Sequence, residues 1–166
     1  MPAKRPTPRL AVLDEAHMNE AQRSLMEALR SGPRGKSISL RGPFAAWLHA
    51  PEYGQLAQAL GAHCRYKTAL PPRLSEFAIL CTARLWRAQY EWYAHAPMAE
   101  KAGVARKTID DLRAGRLPKA AKKDERAIYD FVQELYKARR VGDRTYKRVH
   151  SFLGDAAMVE LVGILG

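Results

Sequence analysis

The stretch "TALPPRLSEFAILCTARLWRAQYEWYAHAPMAEKAG", residues 68–103, is the most apolar part of the chain and decides its fold. Its apolar side chains recur at the spacing of one helical face, which predicts a buried helix that begins near Pro72. The residues on this face are Leu74, Phe77, Ala78, Cys81 and Leu85. A later helix contains Pro97, and Gly103 suits its C-terminal cap because glycine readily adopts the left-handed conformation found there.

The rest of the chain also favours helices. β-branched residues are few, apolar and polar residues do not alternate, and Ala, Leu, Arg, Glu and Lys dominate, so we predict an all-α protein. A chain of 166 residues is long enough for one domain with a substantial core. We expect residues 1–18 to form an extended N-terminal arm and residues 19–166 to form a single helical domain.

Cysteine usage and hydropathy predict the compartment. The two cysteines, Cys64 and Cys81, are not spaced as a metal site or a redox pair, and their small number favours a reducing environment. No signal-peptide run follows the basic N-terminus, and no stretch approaches the roughly 20 apolar residues of a membrane span. The sequence therefore predicts a cytoplasmic protein without a membrane segment or a metal site.

The net charge of +11 indicates either an anionic partner or a basic surface that is simply solvated. Nucleic acid, an acidic membrane and a small anion are all compatible with it. The segment "MAEKAGVARKTIDDLRAG", residues 98–115, imitates a helix-turn-helix motif. Its second helix would present Asp110 and Asp111 beside Lys107 and Arg113. Two adjacent acids would repel the phosphates of DNA. DNA binding remains an alternative, and a solvated basic surface is the favoured explanation of the charge.

Glu91 and His95 lie four residues apart and can form a hydrogen bond on one helical face. A histidine held by a carboxylate is the commonest general acid or base near neutral pH. Glu76, near the start of the apolar helix, is a third candidate. Two ordinary interpretations stay open: Glu91 and His95 as a surface pair, and Glu76 as a residue that interacts with the helix dipole.

The segment of residues 74–115 resembles the carboxymuconolactone decarboxylase family, which includes the alkylhydroperoxidase D-type proteins. The family pattern has a glutamate early in one helix and a histidine nineteen residues later, matched here by Glu76 and His95. An A-x-x-x-G-hydrophobic segment follows, matched by Ala99, Gly103 and Val104. The resemblance extends over the chain from about Arg41 and implies an alkylhydroperoxidase D-like helical bundle.

By resemblance, the decarboxylase branch needs neither a metal nor an organic cofactor. Loss of carbon dioxide from an unsaturated lactone acid requires a proton donor, and we assign this role to His95, with Glu76 and Glu91 as its partners in a proton relay. The candidates for holding the anionic substrate are Arg73, Arg84 and Arg87. The candidates for lining its pocket are Trp47, Trp86, Tyr90 and Trp92, although aromatic residues at helical spacing are often plain core.

The hydroperoxidase branch carries a C-x-x-C dithiol, and this chain has Ala88 and Glu91 at those positions. Neither residue can become a thiolate or resolve one, so peroxide detoxification by thiols is disfavoured. A member that has kept the fold and lost catalysis is a further alternative. The family also implies a homo-oligomer, a trimer or a hexamer, and the apolar C-terminal segment "MVELVGILG", residues 158–166, suits a partner surface.

The relay makes a geometric prediction. A straight helix would separate Glu76 from His95 by about 28 Å, at about 1.5 Å per residue. The chain must therefore reverse between them, and we place the break around Leu85–Gln89. This stretch contains neither glycine nor proline, so propensity alone favours a continuous helix.

Overall fold

The computed structural model describes residues 9–35, 38 and 42–166. These residues form helices and connecting loops and no strand, which confirms the all-α prediction. After a short 3₁₀ turn at Glu15–His17, the helices are α1 (Glu20–Ser31), α2 (Pro43–Trp47), α3 (Pro51–Tyr66), α4 (Pro72–Leu85), α5 (Gln89–Lys101), α6 (Arg106–Arg113), α7 (Lys123–Ala138) and α8 (Asp143–Leu165). None of the helices within the described residues is long and apolar enough to cross a membrane.

The chain divides into two compact units, Met1–Ala62 and His63–Gly166, and the division falls within α3. The predicted single domain of residues 19–166 stays a prediction. The first eight residues of the predicted arm lie outside the described residues. In the first unit, a small apolar cluster holds α1 and the residue after α2. It consists of Met18, Leu25, Met26, Leu29 and Leu48.

In the second unit, α4 is the central helix and packs against α5, α6, α7 and α8. Its predicted apolar face is buried as expected at Leu74, Phe77, Ala78 and Cys81, whereas Leu85 is only partly buried. Burial of so much of one helix removes its apolar surface from water and makes α4 the rigid element on which neighbouring side chains are positioned. The neighbours contribute Ala99, Val104, Ile109, Leu112, Ile128, Phe131, Val132, Val149 and Leu161 to the same core.

The predicted break between α4 and α5 is confirmed. Helix α4 ends at Leu85 and α5 begins at Gln89. The chain turns through Arg87, whose φ of 53° lies in the left-handed region, and the amide of Ala88 donates to the carbonyl of Ala83 at 2.8 Å. A non-glycine residue in this conformation costs about 1–2 kcal/mol, which the packing of α4 against α5 offsets.

The C-terminal segment of residues 158–166 belongs to α8, which contains a break at Gly154 (φ 73°). Met158, Leu161 and Leu165 are buried in the core of the second unit, and Val159 and Val162 remain exposed. Much of the apolar character that suggested a partner surface therefore serves the protein's own core.

Candidate functional site

Helices α4 and α5 bring Glu76 and His95 together. The Oε2 atom of Glu76 lies 2.8 Å from Nδ1 of His95, and both residues are buried. Glu76 is the fifth residue of α4 and lies beyond its first turn. Its charge is therefore placed to meet the imidazole rather than the helix dipole, whose effect fades after the first turn.

Glu91 lies one turn before His95 on α5 and faces the other ring nitrogen. Its Oε2 atom is 3.4 Å from Nε2 of His95, and its side chain is 44% exposed. The exposure matters because Glu91 is the most exposed member of the cluster and lies within reach of solvent or a ligand. His95 itself is buried between the two carboxylates, so Glu91 and His95 are not an ordinary surface pair.

A fourth member of the cluster, Arg65 in the last turn of α3, was missed in the sequence. Its Nε atom lies 3.9 Å from Oε1 of Glu76, and its guanidinium group stacks over the ring of Tyr66. Its Nη2 atom contacts the sulfur of Met98. The Nε atom is buried and has no hydrogen-bond partner among the described residues. No local pattern marks Arg65, because its role depends on how the last turn of α3, which belongs to the second unit, lies beside α4 and α5.

The geometry of the cluster favours a protonated histidine. A neutral imidazole donates from only one nitrogen, whereas an imidazolium donates from both. Here a carboxylate faces each nitrogen, so only the imidazolium satisfies both contacts. Two carboxylates, one guanidinium and one imidazolium also balance in charge.

These contacts shift the pKa of two groups. Burial lowers the pKa of His95, but the hydrogen bonds to Glu76 and Glu91 and the charge of Glu76 outweigh burial and the repulsion from Arg65, and the net pKa is raised. The hydrogen bond to His95 lowers the pKa of Glu91, and the charges of His95 and Arg65 act in the same direction. The cluster therefore stores a proton on His95 and a negative charge on Glu91.

The predicted substrate-binding residues do not all lie together. Arg84, Arg87 and Trp92 line one groove, which none of Glu76, Glu91 and His95 lines. Trp86 and Tyr90 are exposed, and the ring of Trp86 packs edge-on against Tyr136. Trp47 lies in the first unit, where it packs edge-on against Phe44.

Arg73 is not available for a substrate. Its guanidinium group contacts Asp124 and Glu125, each at 2.6 Å, and its side chain is mostly buried. The prediction that Arg73 could hold an anion is therefore wrong, because two carboxylates of α7 already occupy its donors.

One of the two acids that disfavoured the helix-turn-helix alternative is turned inward. Asp111 of α6 is buried and accepts hydrogen bonds from Arg116. Of the two acids, Asp110 is the one exposed with Lys107 and Arg113, and it still disfavours contact with phosphates.

The two cysteines are free thiols. Burial raises the pKa of the Cys81 thiol well above its ordinary range, and burial also raises the pKa of the half-buried Cys64. A raised pKa reduces the thiolate fraction that peroxide chemistry requires. Within the part of the chain that the structure describes, no group of three or more His, Cys, Asp and Glu side chains has an arrangement able to hold a metal ion.

The model of the carboxymuconolactone decarboxylase family matches residues 51–134, just over half of the chain. The match includes Arg65, Glu76, Glu91 and His95. No curated protein and no solved structure shows a match to the chain. The chain belongs to the carboxymuconolactone decarboxylase family.

Proposed function

We propose that this member of the carboxymuconolactone decarboxylase family catalyses cofactor-independent decarboxylation or proton transfer on a small anionic acid of the lactone or aromatic-degradation type. One observation carries the proposal: a buried histidine lies between two carboxylates, and only one of these is exposed. Such a histidine is kept protonated and has one side open to a reacting molecule.

In the proposed reaction, the bond between the substrate and its carboxylate carbon breaks and carbon dioxide leaves. The electron pair of that bond enters the conjugated system and forms a dienolate. The Nε2–H of His95 then protonates the dienolate at carbon, and His95 regains a proton from water. Nε2 is the donor because it faces the half-exposed Glu91, whereas Nδ1 faces the buried Glu76.

The other three side chains support this step. Glu76 orients the ring and stabilises its positive charge, which makes it a positioning residue. Glu91 moves aside when substrate enters, or relays the proton from Nε2. Arg65 lowers the pKa of His95 through its charge and so keeps the proton transferable. Its Nε atom, which has no hydrogen-bond partner among the described residues, is also a cationic donor for a substrate carboxylate.

The thiol reaction of the family is not proposed for this chain. It requires a thiolate and a resolving thiol, whereas Ala88 and Glu91 occupy the dithiol positions and Cys81 is buried. We expect organic hydroperoxides to persist in the presence of the protein.

The proposal extends to assembly and compartment. The family resemblance implies a trimer or hexamer, and Val159 and Val162 on α8 leave exposed apolar surface for a partner copy. Light scattering at micromolar concentration measures the assembly, and a strict monomer contradicts it. The two unpaired thiols suit a reducing cytoplasm.

Turnover in D₂O tests the reaction. Enol-lactone and other lactone carboxylates are incubated with the protein, and both carbon dioxide release and deuterium incorporation at carbon are measured. We expect His95→Ala to lower the rate by about 10²–10⁴-fold, the usual contribution of a positioned acid. The control is His150→Ala, which removes an exposed histidine paired with Asp155. Equal rates for the wild type and His95→Ala would contradict the assignment.

A further inference from the structure

A groove of about 680 Å³ lies between the C-terminal end of α4 and helices α5 and α6. Its charged lining consists of four arginines and two acids: Arg84, Arg87, Arg106, Arg113, Glu100 and Asp110. The α5 residues that line it are on a different face from Glu91 and His95. The groove is therefore separate from the Glu/His cluster, and the proposed reaction does not use it.

The two acids of the groove are already paired with one arginine. Arg106 contacts Glu100 at 3.3 Å and Asp110 at 3.2 Å. Within the described chain, the side chains of Arg84, Arg87 and Arg113 have no ion pair and no hydrogen bond. Four arginines and two acids give this concave surface a net charge of +2, and three of its arginines have no ion pair within the described residues.

Arg84 is the most constrained of the three. Its Nε atom is buried and lacks a hydrogen-bond partner among the described residues, although buried donors are almost always paired. Its guanidinium group lies against Gly115, where φ is +71° and a side-chain carbon would sit 2.5 Å from Nη2 of Arg84. Gly115 therefore leaves room for this group, because a side chain at that position would collide with it.

Part of the lining of the groove is apolar. The half-buried Trp92, with Ala96 and Ile109, contributes a wall that a hydrated inorganic ion cannot use. Arg87 reaches the groove from a left-handed backbone conformation, and strained residues of this kind are concentrated at ligand-binding sites.

We propose that this groove binds a small aromatic or unsaturated carboxylate as a second, non-catalytic anion site. The carboxylate accepts hydrogen bonds from Arg84 and its neighbours Arg87 and Arg113, since guanidinium groups match the geometry of a carboxylate. The planar body of the ligand lies against Trp92. The site is independent of His95 and of the reaction proposed for it.

Calorimetric titration of the full chain with phthalate tests the proposal. We expect saturable binding. The dissociation constant should be about tenfold larger in Arg84→Gln and in Arg113→Gln, and it should be unchanged in His95→Ala. The matched control is Arg144→Gln, which removes the same charge from α8 at an exposed arginine that has no ion pair within the described residues. Circular dichroism of each variant verifies that it is folded.

Four outcomes would overturn the proposal. Phthalate could fail to saturate the protein at millimolar concentration. Arg144→Gln could weaken binding as much as Arg84→Gln, which would indicate a general charge effect. Uncharged benzamide or inorganic phosphate could bind as tightly as phthalate, which would remove the role of the carboxylate or of the apolar wall. Loss of binding in His95→Ala would place phthalate in the Glu/His cluster instead.

Discussion

Two clusters of charged side chains lie near the start of α4, and they differ in what they can do. Arg73 pairs with Asp124 and Glu125 of α7. Glu76, three residues later, pairs with His95 of α5 and lies near Arg65 of α3. Both clusters are largely removed from solvent and both join α4 to a neighbouring helix.

The Arg73 cluster is electrostatically fixed. The hydrogen bond to Asp124 raises the pKa of Arg73, and the same bond holds the pKa of Asp124 below its usual range. The second carboxylate, Glu125, is buried and also accepts from the backbone amide of Lys122 at 2.8 Å. Neither Arg73 nor Asp124 has a reason to change its charge near neutral pH, so the role of this cluster is to attach the start of α7 to α4.

The Glu76 cluster contains a histidine and one exposed carboxylate. The histidine changes its charge near neutral pH, and Glu91 opens the cluster on one side. Burial of charge alone therefore does not distinguish a reactive site from a structural one. The features that distinguish the two clusters are a titratable member and a side that is open to solvent.

The largest expected effect is on stability, in the fixed cluster. Arg73→Met leaves Glu125 buried without its cation, and removal of one partner of a buried pair costs about 3–5 kcal/mol. Urea denaturation measures this loss in the free energy of unfolding. Arg106→Met, which breaks exposed pairs with Glu100 and Asp110, is the control and should change stability little. A loss for Arg73→Met no greater than that of the control would show that this cluster is not structural.

A smaller effect separates the two clusters by its pH dependence. Because the folded pKa of His95 is raised, its contribution to stability is fully present below the unfolded value of 6.5 and is lost as the pH rises through the folded pKa. The pKa of Glu91 is lowered, so its contribution is present above 4.5 and is lost as the pH falls through the folded value. The stability difference between wild type and His95→Gln should therefore be largest between about pH 4.5 and 6.5 and decline at higher pH.

Arg73→Met provides the reference for this measurement. The charges of Arg73 and Asp124 do not change between about pH 6 and 9, so the stability difference caused by Arg73→Met should be constant over that range. A difference for His95→Gln that is equally constant would show that the second cluster is as fixed as the first.

The sequence predicted the fold class and the meeting of Glu76, Glu91 and His95 better than it predicted the surroundings of these three residues. Helical spacing identified the buried face of α4, and the family resemblance, not propensity, predicted the break before α5. The left-handed Arg87 explains why propensity fails there: α4–α5 packing stabilises a conformation that no glycine or proline announces. The oppositely charged partners of the arginines were harder to predict from the sequence. Arg73 was assigned to a substrate because its carboxylates lie on α7, about fifty residues away in the chain.

Arg65 and Trp47 show the same limit of prediction from sequence. Arg65 was missed, whereas Trp47 was chosen and lies elsewhere. Arg65 joins Glu76 through the meeting of α3 and α4, and nothing in its neighbourhood in the sequence indicates this contact. Trp47 was chosen for its type, and its described contacts are with the apolar cluster of the first unit. Residue type and local spacing identify candidates, whereas tertiary packing decides which of them meet.

The most direct test of the central claim is an NMR titration of the His95 ring. If Glu76 and Glu91 hold a proton on His95, its pKa lies above the ordinary 6.5 in the wild type and falls in Glu76→Gln, which keeps the shape of the side chain and removes its charge. A wild-type pKa at or below 6.5 that does not move in Glu76→Gln would contradict the account.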